Sequence, residues 1–262
     1  MVVLQSPPSM AQRVRVAFSR RARHYDAAAS LQKAVAWRLA RHCRDLTLPS
    51  GPRADLGAGT GLLSSALEQQ RPGSTLLRLD ACAALLEQGE APGARLLWDL
   101  NDGLPESLGG AALLVSSFAL HWLENPAVSL RQWCDALGPG GWLALAVPTA
   151  GSFPQWRQAA AAAGVPCTAL VLPEVRQLLA VVAPRLDLRL GAPLRFSQNG
   201  PSGRALLQRM RAVGAGTTAT PPLGVGAWRR IEAHWAGGPG GKRLSWEVLM
   251  LLGRKPQGRA ER

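Results

Sequence analysis

The sequence predicts an α/β fold, a mostly parallel sheet with helices on both faces, on three observations. A glycine-rich loop joins a short strand to a helix between residues 52 and 67. Apolar stretches of strand length then alternate with helical periodicity as far as residue 147. A last apolar stretch, 244–252, stands far from the fifth strand in the chain, which suits a reversed strand closing such a sheet. The interval between them is largely helical and reads as an insertion roofing one end of the sheet. At 262 residues the chain can hold one core domain with an appended cap.

The organising stretch is Arg53-Ala-Asp55-Leu-Gly57-Ala-Gly59-Thr-Gly61, followed by Leu62, Leu63, Ala66 and Leu67 at helical spacing. Glycines at 57, 59 and 61 let the backbone turn tightly and approach a ligand without a Cβ in the way. Asp55 precedes the first glycine and no Gly-Lys-Ser/Thr follows, which argues against a phosphate-binding P-loop. The plainer alternative is a tight turn in an ordinary α/β domain. Ahead of the loop, apolar residues at 31, 35, 39 and 43 recur one turn apart and predict a helix that lays one stripe on the core. The basic segment before it, 14–26, is free to cap a pocket from outside the sheet.

After the loop, a strand over 76–79 ends at Asp80, 25 residues beyond Asp55, where nucleotide-binding α/β folds place the acid that takes ribose hydroxyls. A helix through Leu85 and Leu86 leads to a strand from Arg95 that ends at Asp99. For both acids a helix N-cap is the alternative role. The fourth strand, 111–115, runs out into Ser116, Ser117, Phe118, His121 and Trp122, at the strand ends where open sheets bind ligands. A helix over 126–137, a Gly-Pro-Gly-Gly turn and a fifth strand over 142–147 complete the regular half. Beyond Pro148 the reading is helices over 153–163 and 173–182, a strand pair within 186–196, helices over 203–213 and 225–236, and the last strand. The expected division is a basic helical cap (1–46), a ligand-binding core (47–150) and covering helices with the final strand (151–262).

Charge is uneven along the chain. Residues 1–50 carry nine Arg or Lys against two acids, residues 51–150 five against ten, and residues 151–262 sixteen against five. Basic flanks around an acidic core favour an anionic partner, whether nucleic acid, an acidic protein or anionic lipid. A compositional habit is the competing explanation, since 27 of the 30 basic residues are Arg. Four cysteines at 43, 82, 134 and 167 form no Cys-x-x-Cys, so neither a disulfide framework nor a metal site is expected, and a reducing cytoplasm suits them. Residues 1–9 lack a leader pattern, and no uncharged run reaches the roughly 18 apolar residues of a membrane span.

The strand, Asp55 and the Gly-x-Gly-x-Gly loop resemble motif I of the class I S-adenosylmethionine-dependent methyltransferases, and the turn at Leu137-Gly-Pro-Gly-Gly141 is frequent in them. The likeness sharpens with Phe18-Ser-Arg-Arg-Ala-Arg-His-Tyr25-Asp, Leu31-Gln32, Ser117-Phe-Ala-Leu-His-Trp122, Gly151-Ser-Phe-Pro154 with Trp156, and Met210-Arg-Ala-Val-Gly214-Ala-Gly216-Thr. Together these are similar to the malonyl-carrier-protein O-methyltransferases of bacterial biotin synthesis, from about residue 14 to 254. The resemblance implies a Rossmann-like sheet of seven strands. It implies S-adenosylmethionine held by Tyr25, Asp55, Gly57, Gly59, Gly61, Asp80, Asp99, Leu100, Ser116 and Ser117. It also implies an acidic acyl carrier protein as partner, bearing a malonyl group whose free carboxylate is methylated.

A carboxylate is already a nucleophile, so catalysis by positioning needs no general base, and the four histidines (24, 42, 121, 234) form no triad. The positioning candidates are Tyr25, His121 and Arg211, although Arg211 also fits a solvated helix face. An RNA methyltransferase would share the basic charge, but Ser116-Ser-Phe-Ala119 stands where an Asn/Asp-Pro-Pro-Tyr motif would follow the fourth strand, and one Tyr offers little base stacking. Another small-molecule methyltransferase and a cofactor-binding relative without turnover are the further alternatives. The short first strand favours the latter, and the intact glycines and acids oppose it.

Overall fold

The aliphatic runs at 111–115 and 142–147 form the centre of the sheet because they can be buried on both faces. In β5 the side chains of Trp142, Ala144 and Ala146 enter one core cluster while Leu143, Leu145 and Val147 enter the other. That alternation is the two-residue period of a strand covered on both sides. The computed structural model describes residues 9–218 and 220–257. Residues 1–8, and with them most of the stretch read as lacking a leader, lie outside the described residues.

The strands are β1 (Arg53–Leu56), β2 (Leu77–Asp80), β3 (Arg95–Leu97), β4 (Ala111–Ser117), β5 (Leu137–Pro148), β6 (Asp187–Gly200), β7 (Gly237–Gly238) and β8 (Gly241–Arg254). They are ordered β3-β2-β1-β4-β5-β8-β6, with β7 paired to β8. The first five are parallel neighbours, and β8 runs antiparallel to both β5 and β6. This is the expected seven-stranded sheet with its reversed strand, extended by the two-residue β7. The short first strand is four residues long, yet it pairs on both sides and buries Ala54 and Leu56 completely.

The expected strand pair within 186–196 is instead one strand of 14 residues, paired along β8 with a single bulge between Leu188 and Leu190. Gly191 and Pro193 both lie inside this strand. On an outer edge strand a proline leaves no ladder bond unmade, so the chain runs straight through them.

Helices follow from the same burial. In α3 (Ser30–Cys43) the predicted stripe Leu31, Val35, Leu39 and Cys43 is buried against the sheet and α4 (Leu62–Gln70). Before it, α1 (Met10–Arg21) opens on a capping box in which Ser9 and Gln12 exchange hydrogen bonds. A turn at Ala22–His24 then leads into the short α2 (Tyr25–Ala28). After the loop come α5 (Ala83–Gln88) and α6 (Pro126–Ala136).

The helices beyond β5 divide between the two faces. Leu178 and Val182 of α8 (Val175–Val182) join the core cluster that holds Trp133 of α6. Trp156 of α7 (Pro154–Ala162) stacks at 6.5 Å on Trp235, which follows α10 (Val225–His234), and joins the opposite cluster with Leu206 of α9 (Gly203–Ala212). So α7, α9 and α10 form the roof, and α8 is an ordinary sheet-covering helix. Among the described residues no helix is long and apolar enough to cross a membrane.

Candidate active site

The site grows from the carboxyl ends of β1, β2 and β4. At the end of β1, Asp55 is 1% exposed and its Oδ2 accepts the Ser64 hydroxyl at 2.8 Å. Burial pushes this carboxyl up to about 7, against the lowering effect of Ser64. The chain then turns through Gly57 at φ +70°, where an added Cβ would lie 2.2 Å from Ala119 Cβ. At Gly59, φ +56°, the backbone N–H donates to Asp80 Oδ2 at 2.8 Å and the Cβ direction is open apart from a Leu85 methyl at 3.8 Å. The loop is therefore built against β4 on one side and left clear on the other.

Asp80 also accepts from the Cys82 N–H through Oδ1 at 2.8 Å, and its burial raises its pKa while the two backbone donors lower it. Asp99 opens the turn Leu100–Asp102, its Oδ1 accepting from the Asn101 backbone at 3.0 Å and side chain at 2.9 Å. Above the loop, the Thr60 hydroxyl donates to Asp26 Oδ1 at 2.7 Å, tying the segment after α1 to the glycine turn. Tyr25 lies beside it, its phenol pushed well above the usual range by burial and then by the charges of Asp80 and Asp26.

These residues surround a first cavity of about 140 Å³, lined by Phe18, Tyr25, Asp55, Gly57, Gly59, Asp80, Asp99, Leu100 and Ser117. Two of the expected cofactor-binding residues stand outside this lining. Ser116 turns its hydroxyl to the Leu56 carbonyl at 2.7 Å and locks β4 to β1. Gly61 occupies the N-cap of α4, where it packs near Ala91 and Arg78.

A second cavity of about 330 Å³ opens under the roof, lined by His121, Phe153, Trp156, Met210, Arg211 and Trp246 among others. His121 lies 4.7 Å from the Trp122 ring, and burial pushes its pKa down to about 3, so the imidazole is neutral at physiological pH. Arg211 is exposed on the wall of this cavity only. Gln32, Phe118 and Trp122 line both cavities and form the boundary between them. Phe118 at φ +57° and Phe153 at φ +62° are in the left-handed region, which bulky residues occupy only where their surroundings compel it.

The methyltransferase domain family matches residues 16–180, more than half of the chain. A malonyl-[acyl-carrier protein] O-methyltransferase of Magnetococcus marinus is 30% identical over 240 residues, 87% of this chain and 87% of that one. The chain belongs to this family of S-adenosylmethionine-dependent methyltransferases. A trans-aconitate 2-methyltransferase of Deinococcus radiodurans is 40% identical over 111 residues, 40% of this chain and 43% of that relative. The YcgJ protein of Bacillus subtilis has the same fold, with a TM-score of 0.59 at 14% identity over 86% of this chain and all of that one.

The first cavity suits the methyltransferase cofactor in shape and chemistry. Gly59 leaves a face where a Cβ would otherwise project, two acids end adjacent strands, and the buried Ser117 hydroxyl lacks a partner among the described residues. The exit from the fourth strand, Phe118 to Trp122, was expected at the ligand-binding strand ends, whereas Phe153, Trp156 and Trp246 gave no sign of being cavity wall, because each reads as core. Gln32 was visible within a methyltransferase-like motif, but nothing in the sequence put it on a boundary.

Proposed function

We propose that this methyltransferase transfers the methyl of S-adenosylmethionine to the free carboxylate of a malonyl thioester on acyl carrier protein, an early step of biotin synthesis. The observation that carries this reading is the 30% identity, over 87% of both chains, to a malonyl-[acyl-carrier protein] O-methyltransferase, and His121 beside the boundary of the two cavities agrees with it. With a pKa of about 3 His121 is a poor proton acceptor at neutral pH, and the Tyr25 phenol is held protonated. An amine, hydroxyl or carbon acceptor needs a proton removed, whereas a carboxylate arrives as a nucleophile. When bound, S-adenosylmethionine supplies a sulfonium methyl whose transfer to a carboxylate oxygen forms one C–O bond, breaks one C–S bond and leaves the electron pair on a neutral sulfur.

The chain's residues would share the holding. Asp80 stands where ribose hydroxyls can donate to it, Asp99 Oδ2 accepts no hydrogen bond among the described residues and can take an adenine amino group, and the loop at Gly57 and Gly59 accommodates the methionine part. Leu100 and Ser117 complete the wall and Tyr25 closes over it. Arg211 draws the acceptor's negative charge into the second cavity. The acidic carrier protein is steered by the basic flanks, which gives the charge asymmetry a purpose without nucleic acid. Four free thiols suit a reducing cytoplasm.

Trans-aconitate is the second acceptor to weigh, since 111 residues of this chain are 40% identical to an enzyme named for it. The test offers labelled S-adenosylmethionine with malonyl-carrier protein, malonyl-coenzyme A, trans-aconitate and total RNA in parallel. Label on the malonyl thioesters is the expected result. Label confined to trans-aconitate or to RNA would overturn the reading in favour of that acceptor.

A further inference from the structure

We propose that the side-chain amide of Gln32 holds the acceptor carboxylate at the point of methyl transfer. This rests on the reading of the acceptor as a carboxylate. A methyl that leaves the first cavity for an acceptor in the second must cross the boundary made by Gln32, Phe118 and Trp122. Phe118 has no polar side-chain atom, and Trp122 offers a single indole N–H on a ring packed against His121 and Phe18. Gln32 alone brings a carboxamide, with two N–H donors on a flexible stem.

Its mounting is rigid. Gln32 is the third residue of α3, whose Leu31, Val35 and Leu39 are locked in the core. The side chain itself is half-buried and makes no hydrogen bond with any described residue. The amide is not sealed from solvent, so an acceptor entering the second cavity can take the place of water on its N–H donors.

Charge explains why an amide serves here better than a cation. A cation at the boundary would face the donor sulfonium and would hold both carboxylate oxygens in the ground state, raising the barrier to attack. A neutral N–H orients one oxygen and leaves an electron pair of the other directed at the methyl. Arg211 lies outside the first cavity's wall, so it can attract the acceptor without gripping the reacting atom. Phe118 and Phe153, both at positive φ on the second cavity, indicate a wall whose geometry is imposed by its surroundings.

The test uses the full chain with Gln32→Leu, Gln32→Glu and Gln32→Asn. Single-turnover methylation of malonyl-carrier protein is measured beside the affinity for S-adenosylhomocysteine. Gln32→Leu is expected to slow transfer about 10- to 100-fold, the range of a lost hydrogen bond to a charged group. Gln32→Glu slows it at least as much by repelling the acceptor, Gln32→Asn recovers part of the rate, and affinity for S-adenosylhomocysteine stays within about threefold. Wild-type protein that leaves the malonyl thioester unmethylated would sink the underlying reading, and the inference with it. If wild-type protein turns over, rates for Gln32→Leu and Gln32→Glu within about threefold of it overturn the inference alone. So does a loss of cofactor affinity that matches the loss of rate, because Gln32 would then be only cofactor wall.

Discussion

Asp55 shows how burial and ligand place opposite demands on one carboxylate. The folded chain holds its proton up to about pH 7, well above the ordinary aspartate range. The folded state therefore binds that proton more tightly than the unfolded chain, and stability falls as pH rises from about 4 towards 7. A cation in the first cavity favours the ionised form and reverses the balance. Cofactor binding near pH 7 is thus predicted to release a proton and to tighten as pH rises through that value. Calorimetry in two buffers of different ionisation enthalpy reads this directly: the heats differ for wild-type protein and agree for Asp55→Asn. Equal heats for wild-type protein would contradict the assignment. At this scale the sequence was most legible where chemistry restricts residue type. Asp55, Asp80 and the loop glycines could be found because few residues end a strand or turn so tightly. Ser116 shares its residue type with Ser117, and only the strand pleat separates the one bonded to Leu56 from the one on the cavity.

Among the elements, the N-terminal helices cover the first cavity with few attachments. Phe18 meets Trp122 edge-on at 5.7 Å, Ala22 packs with Cys82 and Leu85, and Thr60 donates to Asp26 across the glycine turn. A hydrogen bond to a carboxylate is worth about 1.5 kcal/mol at the lower end, roughly tenfold in affinity. Asp26→Ala is therefore predicted to weaken S-adenosylmethionine binding about tenfold by calorimetry while shifting the thermal midpoint little, since Asp26 is exposed and outside the core. Unchanged affinity would mean the cover does not depend on that bond. Periodicity made α3 legible, its stripe at 31, 35, 39 and 43 being buried as expected. It failed at β6, where a strand pair was expected and one long edge strand stands, because edge position is a property of the sheet and not of the local chain.

For the whole molecule, a Rossmann-like core supplies one cavity and a roof assembled from distant segments supplies the other. The second cavity takes its walls from the end of α2, the start of α3, the exit of β4, the stretch 148–172, β6, α9 with the loop after it, and β8. No local pattern in the sequence marks such a convergence, and aromatic residues on it look the same as core. Basic flanks on an acidic centre were legible by counting alone, and the reading given above makes them a guide for an acidic carrier.

What unites these features is the proposed acceptor, a carboxylate whose oxygen attacks the methyl without any proton being moved. The most direct test is the position of the new methyl on malonyl-carrier protein after one turnover. An ester that mild base hydrolyses, returning the unmethylated malonyl group, is the predicted product. A base-stable methyl on the malonyl carbon would require proton removal at the boundary beside His121 and would contradict the account.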